Sequence, residues 1–142
     1  MKELILVCTG NTCRSPMAEG LGLKYLDNRL KIRSRGLSVS IGLGANSKSI
    51  VAMDMEGIDI RGHVAKRFDI NEVSEDTLIL GMTRGHKDHL LAYFPELKGR
   101  VYTILEYIGV AGQVADPYGG DQDTYNQCAK LLKKAIIKLN QK

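Results

Sequence analysis

The stretch VCTGNTCRSP, residues 7–16, sets two cysteines, an arginine and a serine in one short loop behind an apolar run. Three chemistries use such residues. A zinc clip needs thiolates at closer, repeated spacing with further His or Cys ligands. The candidates elsewhere are His86 and His89, three apart on one predicted helix and read as surface histidines, so no metal site is expected. A buried structural thiol accounts for Cys8 at a strand end but leaves Gly10, Asn11, Arg14 and Ser15 unexplained. A phosphate cradle accounts for all of them. In it Cys8 is the nucleophile at the floor of the loop, and the main-chain N–H groups of Thr9, Gly10, Asn11, Thr12, Cys13, Arg14 and Ser15 point inward. A helix N-terminus behind the cradle favours an anion through its free amides and its dipole, and the same field favours a thiolate. Gly10 and Asn11 are residue types that tolerate positive φ, as a tight nest of amides demands. Arg14, six positions after Cys8, offers a planar fork to two phosphoryl oxygens, and the Ser15 hydroxyl can donate to the sulfur.

A bare Cys-x5-Arg is a weak signal, and its context strengthens it: a strand before, Gly and Asn inside, Ser after, and Pro16 at a helix start. A nucleophile of this kind needs a proton donor for the leaving group, reaching over from another loop. ADPYGGD, residues 115–121, supplies Asp116, held extended by Pro117, with glycines that let the loop approach; the alternative is a plain Asp-Pro turn. Tyr118 is expected to form one wall of the entrance, the alternative being a half-buried loop tyrosine. Cys13, in the same loop as Cys8, is assigned the part of redox partner, the alternative being simple packing beneath the loop.

These residues need elements to hold them. Residues 3–8 read as a buried parallel strand, and a helix follows over 15–30 despite two glycines. A second strand is expected at 31–39, a short helix at 47–57 stopped by Gly57, and irregular or weakly helical chain at 58–75. A third strand at 76–82 leads into a helix at 84–94 ended by Pro95, a fourth strand lies at 100–104, and a glycine-punctuated loop spans 109–120. The last helix starts near Asp121 and aligns Cys128, Leu131, Leu132, Ala135 and Leu139 on one face, with Cys128 read as core. The alternation implies a three-layer α/β fold, a four-stranded parallel sheet with helices on both faces, folding as one domain over 1–142. Ligands bind such sheets outside the carboxyl ends of the strands, where the cysteine loop and the 109–120 loop both fall.

Composition narrows the function classes. At 142 residues, with 44% apolar and 25% charged residues, the chain is an ordinary globular protein, without an apolar run long enough for a signal peptide or membrane span. Three cysteines are too few for a secreted scaffold and point to a reducing, cytoplasmic setting. The net charge of +4 favours an anionic partner. Lys24, Arg29, Lys31, Arg33 and Arg35 concentrate that charge, but only Tyr25 interleaves with them, so they read as a solvated helix face running into an edge strand rather than a nucleic-acid platform. A phosphorylated protein substrate satisfies the same charge, and a monomer is expected.

CTGNTCRS, GMTRGHKDHL and DPYGGD, in that order, resemble the low-molecular-weight protein tyrosine phosphatase family along essentially the whole chain. The resemblance implies the nucleophile at Cys8, the phosphate-binding arginine at Arg14, a thiolate-stabilising Ser15, the general acid at Asp116, and a phosphocysteine intermediate formed without metal or cofactor. Thr12 stands where the tyrosine-specific members usually carry an aliphatic residue, and the string TGNTCRS is similar to that of the bacterial protein arginine phosphatases, a branch of the family. Arg35 stands where alanine is usual, a change expected at the rim or surface. Phosphoarginine in proteins is therefore the expected substrate, with phosphotyrosine the alternative: Thr12 offers a hydroxyl and little apolar wall, and residues 41–48 bring no aromatic to pair with Tyr118 around a ring. Arsenate reduction would need further cysteines near 80–95, where there are none, and a non-catalytic phosphate binder would lack a nucleophile or an acid.

Overall fold

The structure is a computed structural model that describes Met1–Lys142 throughout. Four strands, β1 (Glu3–Cys8), β2 (Lys31–Gly36), β3 (Thr77–Gly81) and β4 (Val101–Thr103), pair in parallel in the order β2-β1-β3-β4. Central β1 and β3 are apolar on both faces because both are covered. Leu4, Leu6, Leu78 and Leu80 point into the larger core with Met17, Leu21, Leu132 and Ile136, while Ile5, Val7, Ile79 and Val101 face the smaller one with Phe68, Leu90 and Leu97. Helices α1 (Arg14–Tyr25), α2 (Ser47–Asp54) and α5 (Gln122–Asn140) supply the first layer, and α3 (Arg84–Tyr93) the opposite one. The expected three-layer fold, with its loop after β1, is thus what the chain forms.

Boundaries moved where side chains compete with the main chain. Helix α1 ends at Tyr25 rather than near 30, since the Asp27 carboxylate accepts from the Arg29 amide at 2.9 Å and closes a local turn instead. Strand β2 stops at Gly36, after which Leu37 and Ser38 donate to the carbonyls of Cys8 and Thr9, so the chain hugs the cysteine loop. Residues 58–75 are irregular, as expected, with a turn at Arg61–Gly62, isolated bridges from Val64 to Gly44 and from Arg67 to Gly36, and one 3-10 turn at Ile70–Glu72. A short helix that the sequence did not suggest, α4 (Ile104–Tyr107), follows β4 behind a capping box of Thr103 and Glu106.

The connections from β1 through α1 to β2 and from β3 through α3 to β4 leave the sheet in opposite directions. Their reversal opens a crevice at the carboxyl ends of β1 and β3, where the chemistry-bearing loop lies.

Candidate active site

Residues 9–13 leave β1 as a tight loop and enter α1 without a side-chain cap, the N-cap residue being Cys13. None of the amides of Thr9, Gly10, Asn11, Thr12 and Cys13 donates to a main-chain carbonyl. Uncapped first-turn amides of α1 add to them, so a run of donors is left for an acceptor that the loop itself does not contain. The loop bends at Asn11, whose φ of 57° is the only positive value at a non-glycine residue; Gly10 does not adopt positive φ, contrary to expectation. A Cβ at Gly10 would meet Thr12 Oγ1 at an ordinary 3.6 Å.

Asn11 holds the turn with its side-chain amide and its carbonyl. Its Nδ2 donates to Ser15 Oγ at 2.8 Å, its Oδ1 accepts the Lys66 amide at 2.9 Å, and its carbonyl accepts from His63 Nε2 at 2.7 Å. Because Ser15 Oγ accepts from Asn11, its own proton is free for Cys8 Sγ, 3.0 Å away and buried. The sulfur therefore has a directed hydroxyl donor within the buried floor of the loop.

Arg14 is 4% exposed. Nη1 donates to the Val114 carbonyl at 3.0 Å, Nη2 lies 3.6 Å from Asp116 Oδ2, and Nε is the one buried side-chain nitrogen or oxygen of the chain without a partner. A buried, charged N–H without an acceptor is costly, and an oxyanion bound in the loop would supply one. Asp116 belongs to the loop 115–121, tied down by the Arg14 bond to Val114 and by Lys48 Nζ donating to the Gly120 carbonyl at 2.7 Å. Its Oδ1 accepts the Tyr118 amide at 3.1 Å while the carboxylate stays half-exposed over Arg14. Tyr118 is 75% exposed, a free ring at the mouth rather than a half-buried one.

Thr12 is half-buried, its carbonyl fixed by the Asn46 amide at 2.8 Å. Cys13 Sγ lies buried 3.4 Å from the Tyr125 hydroxyl, whose proton affinity burial pushes up, with Cys13 adding to the effect. Cys128 is core, as expected, and burial raises its thiol to about 12; all three cysteines are free thiols.

Two further expectations are corrected. His86 is not a surface histidine: it is 6% exposed, with Nδ1 at 3.1 Å from the Thr83 amide and Nε2 at 2.9 Å from Thr9 Oγ1. A predicted helix face gives no sign that a loop 77 residues away covers it. His89 is exposed and stacks on Tyr93 at 4.6 Å. Arg35 is not a rim substituent either. Its side chain is largely buried and forks onto Glu72 through Nε and Nη2, each at 2.7 Å, holding that carboxylate below its usual range. His63 and the Lys66 amide, which grip Asn11, carried no recognisable signal in the sequence.

Residues 3–142 match the family model described as low molecular weight phosphotyrosine protein phosphatase. A low molecular weight protein-tyrosine-phosphatase PtpB of Staphylococcus haemolyticus is 40% identical over 137 residues, covering 96% of each chain. A protein-arginine-phosphatase of Geobacillus stearothermophilus is 33% identical over 145 residues, covering 99% of this chain and 95% of the relative. Among solved structures, a low molecular weight protein tyrosine phosphatase from T. tengcongensis superposes with a TM-score of 0.93 at 36% identity, with 99% of both chains covered.

Proposed function

This chain belongs to the low molecular weight phosphotyrosine protein phosphatase family and is a cysteine-based protein phosphatase; we propose that its substrates are proteins phosphorylated on arginine and that Cys8, Arg14, Ser15 and Asp116 carry the reaction. The observation behind the site assignment is the partnerless, buried Nε of Arg14, next to Nη2 and above a loop of free amides. A phosphoryl group seated there takes two oxygens on the guanidinium fork and the rest on the amides of residues 9–13.

Cys8 Sγ then attacks phosphorus in line while the P–N bond to the substrate guanidine breaks, and Asp116, protonated, gives its proton to the departing nitrogen. The phosphocysteine that results is attacked by water, from which Asp116 now takes a proton. Inorganic phosphate leaves, and the sulfur departs as a thiolate received by the Ser15 hydroxyl. Charge on the equatorial oxygens grows in both steps, and Arg14 and the amides are already oriented to meet it.

The arginine preference rests on Thr12 and on the mouth. Ile41 and Leu43 on the facing loop are exposed aliphatics, and Tyr118 is the single aromatic of the acid loop, so no ring sandwich is built for a phosphotyrosine. A phosphoguanidine is narrow and rich in N–H groups, which can donate to the Thr12 hydroxyl and to the Asp116 carboxyl oxygen that does not carry the proton. Phosphotyrosine is the second reading, favoured by the 40% identity to a relative named for that activity. Measuring kcat/KM for phosphoarginine and phosphotyrosine peptides, with Cys8→Ser as the blank, tests both. The expected preference is for phosphoarginine, and Thr12→Ile is expected to lower it and raise phosphotyrosine turnover. A wild type that prefers phosphotyrosine overturns the arginine reading.

A further inference from the structure

The GMTRGHKDHL segment contributes a buried imidazole that the reaction above leaves unused. The Thr83 amide can only donate, so His86 Nδ1, 3.1 Å from it, is an acceptor, and in the neutral ring the proton sits on Nε2. Nε2 therefore donates to Thr9 Oγ1 at 2.9 Å, and a hydroxyl that accepts from the ring turns its own proton away from it. Thr9 directly follows Cys8, and its side chain is exposed at the lip of the cradle.

The ring is kept neutral by its surroundings. Burial lowers His86 to about 4, the positive charge of Arg14 acts in the same direction with a smaller contribution from His89, and Asp116 opposes them. Its Nε2 contact to Thr9 joins the imidazole to the loop that leads from Cys8 to Arg14.

We infer that His86 is a positioning residue for the reaction: by donating from Nε2 to Thr9 Oγ1 it orients the Thr9 hydroxyl to donate to an oxygen of the phosphoryl group bound against Cys8. This rests on the phosphatase assignment of the loop. It joins the chain after β3 to the chain after β1 across the crevice where the sheet reverses, and it adds a side-chain donor to the main-chain ones.

Two substitutions separate this function from simple helix capping. In His86→Asn the side-chain carbonyl can still accept the Thr83 amide but nothing reaches Thr9; in His86→Gln an amide nitrogen takes the place of Nε2 and the cap is lost. With p-nitrophenyl phosphate as substrate and inorganic phosphate as competitive inhibitor, His86→Asn is expected to lose about tenfold in kcat/KM and several-fold in phosphate affinity at a near-native melting temperature, the scale of one lost hydrogen bond to a charged group. His86→Gln is expected to melt lower and to stay within about threefold of wild-type kcat/KM. Thr9→Val should match His86→Asn, Thr9→Ser should recover, and the double variant Thr9→Val/His86→Asn should be no worse than Thr9→Val alone. Activity that follows melting temperature instead, with the Gln variant worse than the Asn variant, overturns the inference. So does Thr9→Val at wild-type kcat/KM, a result that stands even where a His86 variant fails to fold. A wild type without turnover would instead end the phosphatase assignment of the loop.

Discussion

Replacing Arg14 by lysine keeps the charge and removes the fork. In the structure Arg14 Nη1 is committed to the Val114 carbonyl at 3.0 Å, so the groups left for a phosphoryl oxygen are Nη2 and the partnerless Nε. A lysine ammonium reaching the same depth can serve one of the three acceptors, the Val114 carbonyl and two phosphoryl oxygens, and has no planar geometry for the other two. One lost charge-assisted hydrogen bond is worth about 1.5–3 kcal/mol, and the Val114 carbonyl left without its donor loosens the root of the acid loop by about 1 kcal/mol more. The sum, about 2.5–4 kcal/mol, corresponds to a fall of roughly 10²–10³ in kcat/KM at 1.36 kcal/mol per decade. The charge attraction survives, so the inhibition constant for inorganic phosphate should rise less than kcat/KM falls: the fork matters most when charge has built up on the equatorial oxygens. Steady-state kinetics on p-nitrophenyl phosphate, with phosphate inhibition and melting temperature on the same samples, give all three quantities. A loss below tenfold in a variant of native stability refutes the bidentate arrangement and leaves Arg14 as a structural brace of the acid loop.

Asp116→Asn should slow turnover by about 10²–10⁴ for poor leaving groups and by less for p-nitrophenol, and equal losses would reduce Asp116 to a turn residue. After mild peroxide and then thiol, the wild type should recover more activity than Cys13→Ala if Cys13 captures a sulfenic acid on Cys8; equal recovery leaves Cys13 only its packing against Tyr125. His86, lowered to about 4 from an ordinary 6.5, stays unprotonated in the folded state between those values while the unfolded chain takes up a proton, so folding stability should fall as pH drops from about 6.5 to about 4. At 1.36 kcal/mol per unit the loss approaches about 3 kcal/mol, and His86→Asn should remove that share of the acid sensitivity in urea titrations at pH 7 and 4.5. Gly36→Ala would set a Cβ 2.8 Å from the Thr9 carbonyl and 3.0 Å from Asn11 Cβ, so activity should drop further than melting temperature; an active Ala variant would show that the loop tolerates displacement.

The parts of the site that were legible in the sequence are those whose partners lie close along the chain. Cys8, Asn11, Arg14 and Ser15 sit within eight consecutive residues, and the contacts among them, Asn11 to Ser15 and Ser15 to Cys8, span four and seven positions. Residue type and spacing therefore carry almost all the geometry. The strands were legible for a similar reason: β1 and β3 are short apolar runs between turn residues, and a strand buried on both faces has no other way to look. Asp116 was legible through local chemistry, an Asp-Pro followed by glycines, although its placement over Arg14 depends on Lys48 and Val114.

What stayed hidden is the outer shell of the cradle, because its hydrogen bonds run to partners far off in sequence. His63 and the Lys66 amide reach Asn11 across 52 and 55 positions, and His86 reaches Thr9 across 77. Periodicity sees a histidine on a helix and reads a solvated face, since nothing local says that the sheet reversal will lay another loop on it. The same ignorance misplaced Arg35, whose charge is balanced by Glu72 in a segment with no regular pattern. An αL residue such as Asn11 has to be held, because its strained backbone persists only when its surroundings over-determine it. A sequence can therefore announce where the strain is, in the Gly-Asn of a cysteine loop, while the residues that hold it in place emerge only once the strands carrying them are side by side.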